Sequence, residues 1–152
     1  MGMLAFDFPE DTSGGPHFTD VPEGSTFYTH IETLFNLGVI NGYGDNTFRP
    51  FNNVTRGQIV KIIVGAALKA DPSNWVLEDP PDPTFSDAQP DSTFYRYIET
   101  AYSHGLVGGY PCGGPGEPCD DQQRPYFRVN NLATRAQISK IIYLAVTYPP
   151  GR

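Results

Sequence analysis

The chain is a duplication, and this limits its possible folds more than any other feature. Phe18-Thr19-Asp20 realigns with Phe85-Ser86-Asp87 at an offset of 67 residues. The same offset carries Ser25-Thr26-Phe27-Tyr28 onto Ser92-Thr93-Phe94-Tyr95, Ile31-Glu32-Thr33 onto Ile98-Glu99-Thr100, Gly38 onto Gly105, and Gly42-Tyr43 onto Gly109-Tyr110. A second matched pair, Thr55-Arg56-Gly57-Gln58 and Thr134-Arg135-Ala136-Gln137, stands 79 residues apart, so the second copy holds 12 extra residues. The chain is one design used twice.

Each copy reads as helix, loop, helix. Phe27, Tyr28, Ile31, Leu34 and Phe35 recur at helical spacing, as do Phe94, Tyr95, Ile98, Ala101 and Tyr102, giving a first helix with one apolar face. Gly38 and Gly105 stand where a left-handed residue ends such a helix. Asn41 to Asn53 is turn chemistry around single aromatic anchors. The second helix opens at Thr55 and again at Thr134. In each case the Thr hydroxyl and the amide of Gln58 or Gln137 are spaced to satisfy each other's backbone donors. Ile59, Ile62, Ile63 and Ala66, with Val60 and Val64 off that face, make a helix that wants neighbours on more than one side. Arg56 and Arg135 fall in the first turn, where a cation gains nothing from the helix dipole. Beside free N–H groups, an Arg fork there is a receptor for carboxylate or phosphate; the alternative is a solvated or ion-paired side chain.

These signals divide the chain into an N-terminal arm (1–17), a first unit (18–67), a Pro-rich linker (68–84), a second unit (85–147) with an insertion at 111–125, and a tail (148–152). The insertion contains the only two cysteines, Cys112 and Cys119, in a Gly- and Pro-rich segment with little apolar content. A disulfide stapling this loop, in an oxidising extracytoplasmic setting, is the expected state; a metal pair and two free thiols are the alternatives.

Charge excludes some partners. A net charge of −7 with 10 Lys and Arg opposes a phosphate-tracking surface for nucleic acid or an anionic membrane. No apolar run reaches the roughly 18 residues of a spanning helix, and Met1–Glu10 lacks the basic and apolar regions of a secretion signal. Catalysis has no visible footing. His17, His30 and His104 occupy non-equivalent positions, and there is no nucleophile elbow, phosphate loop or His-Glu metal motif, so neither an enzyme nor a cofactor is expected.

In order along the chain, Phe-x-Asp-Val, a helix ending at Gly, Gly38-Val39-Ile40-Asn41-Gly42-Tyr43, Asp45, Thr47-Phe48-Arg49-Pro50, Asn52-Asn53 and Val54-Thr55-Arg56 resemble the S-layer homology motif. The resemblance covers 18–67 and 85–147. It implies an all-α fold in which the second helices form a shared bundle at the centre of a three-pronged body. It also implies an extracellular, bacterial cell-surface module that binds secondary cell wall polysaccharide, often pyruvylated, in grooves between prongs. Carried over, Arg56 and Arg135 would face an acidic carboxylate while Asn41, Gly42, Tyr43, Gly109 and Tyr110 shape the sugar surface. Asp20 and Asp87 would cap or brace the prong.

Departures from the motif are specific. Gln58 and Gln137 replace a common Glu, Gly57 replaces a helix-favouring Ala, and two units are visible where the family usually has three. That shortage leaves apolar surface to be covered by Trp75 and its neighbours, by residues 1–17 or by another subunit. A self-assembling filament or surface lattice built through contacts between repeats is therefore the rival expectation, with Met3–Phe8 as a donated arm or a loose tail.

Overall fold

The computed structural model describes residue 6 and residues 8–148. Among the described residues it has four helices: α1 (Tyr28–Asn36), α2 (Arg56–Ala70), α3 (Tyr95–Ser103) and α4 (Arg135–Val146). Only isolated bridges supplement them. The protein is all-α, with α2 packed against both α3 and α4. The proposed donated arm lies outside the described residues except for Phe6, which packs on the larger core, and Phe8. Of the tail, only Tyr148 is described.

The second helix of each unit starts with a reciprocal cap. Thr55 Oγ1 accepts from the Gln58 N–H at 3.1 Å and Gln58 Oε1 accepts from the Thr55 N–H at 2.9 Å. Thr134 and Gln137 repeat this at 3.1 and 3.0 Å. The first helices have no side-chain cap, and Phe27 and Phe94 stand just before them rather than within them. They end through Gly38 at φ +78° and Gly105 at φ +76°, in open space, so backbone angle alone selects glycine there.

Apolarity on several sides of α2 makes it the centre of the molecule. Val60, Val64, Ala66 and Ala67 are fully buried, and the core around them takes in Ile98 and Ala101 of α3, Ile138, Ile141 and Ala145 of α4, and Trp75, Phe85, Leu106 and Phe127 from the loops. A smaller core inside the first unit joins Phe18, Val21, Ile31, Leu34, Val39 and Ile40.

Two straps tie the first helices to the chain before them, and they match at the 67-residue offset. The N–H of Asp11 donates to Thr33 Oγ1 at 2.9 Å, and that of Glu78 to Thr100 Oγ1 at 2.8 Å. The N–H of His17 donates to Glu32 Oε1 at 2.8 Å, and that of Thr84 to Glu99 Oε1 at 2.9 Å. Glu32 and Glu99 are 0% and 4% exposed. Glu32 also pairs with the His17 ring, whereas Glu99 Oε2 has no partner among the described residues, because Thr84 replaces the histidine. The arm before unit one and the linker before unit two are thus the same structural element.

Candidate functional site: a cationic groove between the repeats

The first turn of α2 is clamped to the loop that precedes α4. The N–H groups of Arg56 and Gly57 donate to the carbonyls of Asn131 and Val129 at 2.8 and 3.0 Å, and Ala133 N–H returns a bond to the Val54 carbonyl at 2.9 Å. This corrects the expectation of free N–H groups beside the first Arg: at α2 they are spent on the neighbouring repeat, leaving the side chain as the receptor. Packing here is close. A Cβ on Gly57 would lie 2.8 Å from Val129 Cγ1 and 3.1 Å from Phe94 ring carbons, which accounts for glycine in a helix.

Arg56 is 7% exposed. Its Nε donates to the Phe127 carbonyl at 2.8 Å, and the guanidinium sits 4.5 Å from the Phe127 ring centre and 5.2 Å from that of Tyr110. Among the described residues no carboxylate forms an ion pair with it. Burial pulls its pKa down, with the Tyr110 side chain acting in the opposite direction. The residue lines a cavity of about 450 Å³ whose other walls include Gly108, Gly109 and Tyr110 from the second unit's loop and Gln137 and Lys140 from α4.

Tyr110 is held from several directions. Its backbone pairs with Tyr126 in both directions at 2.8 Å, and its hydroxyl accepts from Gln137 Nε2 at 3.3 Å. The Arg128 guanidinium covers its ring at 3.8 Å. Arg128 is in turn gripped by both oxygens of Glu117 at 3.0 and 3.1 Å, a hydrogen-bonded pairing that raises its pKa. Glu117 lies inside the loop closed by the Cys112–Cys119 disulfide. Gly109 has no room for a side chain, since a Cβ would meet Phe85 at 2.6 Å and Pro125 at 2.9 Å.

The equivalent surface of the first unit is built the same way. Asn41, Gly42 and Tyr43 line a cavity of about 380 Å³ with Gln58 and Lys61 of α2 and Thr93 and Phe94 of the second unit. Arg49 covers Tyr43 at 3.8 Å. Each loop turns through an arginine in the left-handed region, Arg49 at φ 61° and Arg128 at φ 65°. A carboxylate braces each turn. Asp20 accepts from the N–H groups of Phe48 and Arg49 at 2.9 and 2.7 Å, and Asp87 from Phe127, Arg128 and Val129 at 2.7, 2.7 and 3.0 Å. The Phe48 N–H, ahead of Arg49, holds the Asp20 carboxyl below its usual pKa.

Arg135, the twin of Arg56, is exposed and lines neither cavity. The structure therefore joins Arg56 with Gly109 and Tyr110, and does not join Arg135 with Asn41, Gly42 and Tyr43. Lys61 and Lys140, 79 residues apart, were not singled out by sequence, although their repetition on a cavity wall was the available signal. Among the described residues no cluster of three or more His, Cys, Asp or Glu side chains could hold a metal, and no helix is long and apolar enough to cross a membrane.

The fold and this site define a class: paired helix-loop-helix repeats with a cation set between them. The model of the S-layer homology domain matches residues 17–60 and 84–138, and the chain belongs to that family. The S-layer homology domain is an anchoring module associated with bacterial cell surfaces. The chain is 26% identical over 147 residues to an endoglucanase of Bacillus sp. (strain KSM-635), matching 96% of this chain and 13% of that protein. It is 28% identical over 144 residues to an amylopullulanase of Thermoanaerobacterium thermosulfurigenes, matching 94% of this chain and 7% of that protein. It thus spans a small part of each of these relatives.

Proposed function

We propose that the groove bounded by Arg56, Gly109, Tyr110, Gln137 and Lys140 binds a carboxylate-bearing sugar of a secondary cell wall polysaccharide, and so anchors this module to the bacterial wall. The observation that carries this reading is a buried arginine that forms no ion pair with a carboxylate among the described residues, in a chain of net charge −7. Burying a cation costs free energy unless an anion meets it, and acidic residues were abundant enough to supply one. A ligand carboxylate fits the planar guanidinium, and the flanking Tyr110 ring offers a face for the sugar. Lys140, solvated at the rim, adds a second positive charge. A pyruvate ketal satisfies both requirements, a fixed carboxylate on a flat glycan.

Wall fragments that retain secondary polysaccharide, and the same fragments stripped of it, provide the test. At a concentration where it stays in solution by itself, the chain should pellet with the first and not with the second. Arg56→Ala should weaken pelleting about tenfold or more, the loss of a charge-assisted contact, and Lys140→Ala should weaken it less. Circular dichroism on each variant separates loss of binding from loss of fold. Equal pelleting with stripped fragments, or folded Arg56→Ala that binds unchanged, would sink the proposal.

A further inference from the structure

The junction between the two repeats is completed once inside the chain, and each of its halves recurs unfilled on an outer face. Its donor half is the start of α2, where Arg56 and Gly57 donate to Asn131 and Val129. The same half recurs at the start of α4. There, among the described residues, nothing accepts from the N–H groups of Arg135 and Ala136, and both residues are exposed. Its acceptor half recurs in the first unit, where Pro50 and Asn52 stand 79 positions before Val129 and Asn131. Among the described residues no donor reaches the carbonyls of Pro50 or Asn52.

The empty acceptor is already folded like the filled one. Tyr43 lies under Arg49 at the 3.8 Å that separates Tyr110 from Arg128, and Asp20 holds the turn as Asp87 does. The helix faces show the same asymmetry. Val60, Val64 and Ala67 are fully buried on α2, which α3 packs against, while their α4 counterparts Ser139, Tyr143 and Val146 are exposed, Tyr143 by 64%. Phe94 packs beside Gly57, while its counterpart Phe27 is 47% exposed. Lys61 stands over Tyr97 at 5.8 Å, and the corresponding pair is Lys140 and His30. His30 Nδ1 is buried with no hydrogen-bond partner among the described residues. Among the described residues the two ends of one copy do not cover each other, since extensive helix contacts run only from α2 to α3 and α4.

We propose that copies of this chain join head to tail through this junction, with Arg135 of one copy seated against Tyr43 and Phe48 of the next. The occupant is a second copy because the missing half on each face is the half that the opposite face presents. Such a contact is heterologous, so every addition leaves one donor end and one acceptor end free. It also gives the Asn41–Tyr43 cavity the buried-side cation that Arg56 gives its twin. The inference stands apart from glycan binding, because backbone pairing and packing carry it.

Sedimentation without wall material tests it, using a donor-end variant, Arg135→Ala with Ala136→Trp, and an acceptor-end variant, Phe27→Arg. All three altered residues are exposed. The unaltered chain should grow in mass with concentration past the dimer, each variant alone should remain monomeric, and an equimolar mixture should form dimers and nothing larger. Arg135→Ala alone, the mildest change, should weaken association about tenfold. A chain that stays monomeric at submillimolar concentration, stops at a dimer, or assembles unchanged in either folded variant would overturn the proposal. Wall pelleting by the same samples is read separately, so failure here leaves the groove's reading intact.

Discussion

At Gly57 two opposing effects can be weighed. Glycine inside a helix costs about 1 kcal/mol relative to alanine, yet a methyl group there would press on Val129 Cγ1 at 2.8 Å and on the Phe94 ring at 3.1 Å. Overpacking of that kind costs about 1 to 3 kcal/mol, and both neighbours are themselves wedged between the repeats. Gly57→Ala should therefore destabilise the chain by about 1 kcal/mol. In a Val129→Ala background the penalty should shrink or reverse. Urea midpoints of the four proteins of this cycle measure the coupling directly, and additive effects would show that the junction does not confine this position. The sequence carried half of this. Thr55, Arg56 and Gln58 were legible as a helix start because a capping box is local. That Arg56 lies beneath the second unit was not, since its bond to Phe127 spans 71 positions and no short pattern encodes it. Lys140 was missed for a different reason: a lysine on a helix looks the same whether it borders a groove or open solvent, and its repetition as Lys61 was the one sign.

At the scale of elements, the inserted loop does more than lengthen the second unit. Cys112 and Cys119 close a short ring that contains Glu117, Glu117 grips Arg128, and Arg128 covers the Tyr110 ring on the groove wall. A ring of this size contributes about 2 to 3 kcal/mol through the entropy of the unfolded chain. Replacing both cysteines by serine should lower stability by roughly that amount and should also weaken wall binding several-fold, because Tyr110 loses its outer support. Thermal melts and pelleting of the one variant separate these effects. Lost stability with unchanged binding would mean the loop is only a staple. The disulfide itself was legible, since a segment poor in apolar residues needs a covalent tie. The straps were less so. Arm and linker share little beyond Pro16 with Pro83 and acidic Asp11 with Glu78 at matching positions, and their common role appears only in bonds to Thr33, Glu32, Thr100 and Glu99. Glu32 and Glu99, repeated within an otherwise apolar helix face, were the visible sign that something would need a buried acceptor.

Across the whole molecule, charge and site oppose each other. The chain carries −7 overall, yet the groove walls present Arg56 and Lys140. An acidic polymer therefore meets long-range repulsion and short-range attraction, and salt acts on them unequally. Exposed charges more than about 8 Å apart are largely screened at physiological ionic strength, whereas a buried ion pair is screened much less. Raising salt from about 10 mM to about 150 mM should therefore hold wall binding steady or increase it, where a protein held by diffuse positive charge would lose affinity steeply. Arg56→Ala removes the buried attraction and leaves the repulsion, so its residual binding should be weakest at low salt. Pelleting across this salt range, for the unaltered chain and the variant together, decides the point. A steep fall with salt in the unaltered chain would place the attraction on exposed lysines and arginines, and Arg56 would then be a strut of the junction rather than the ligand's partner.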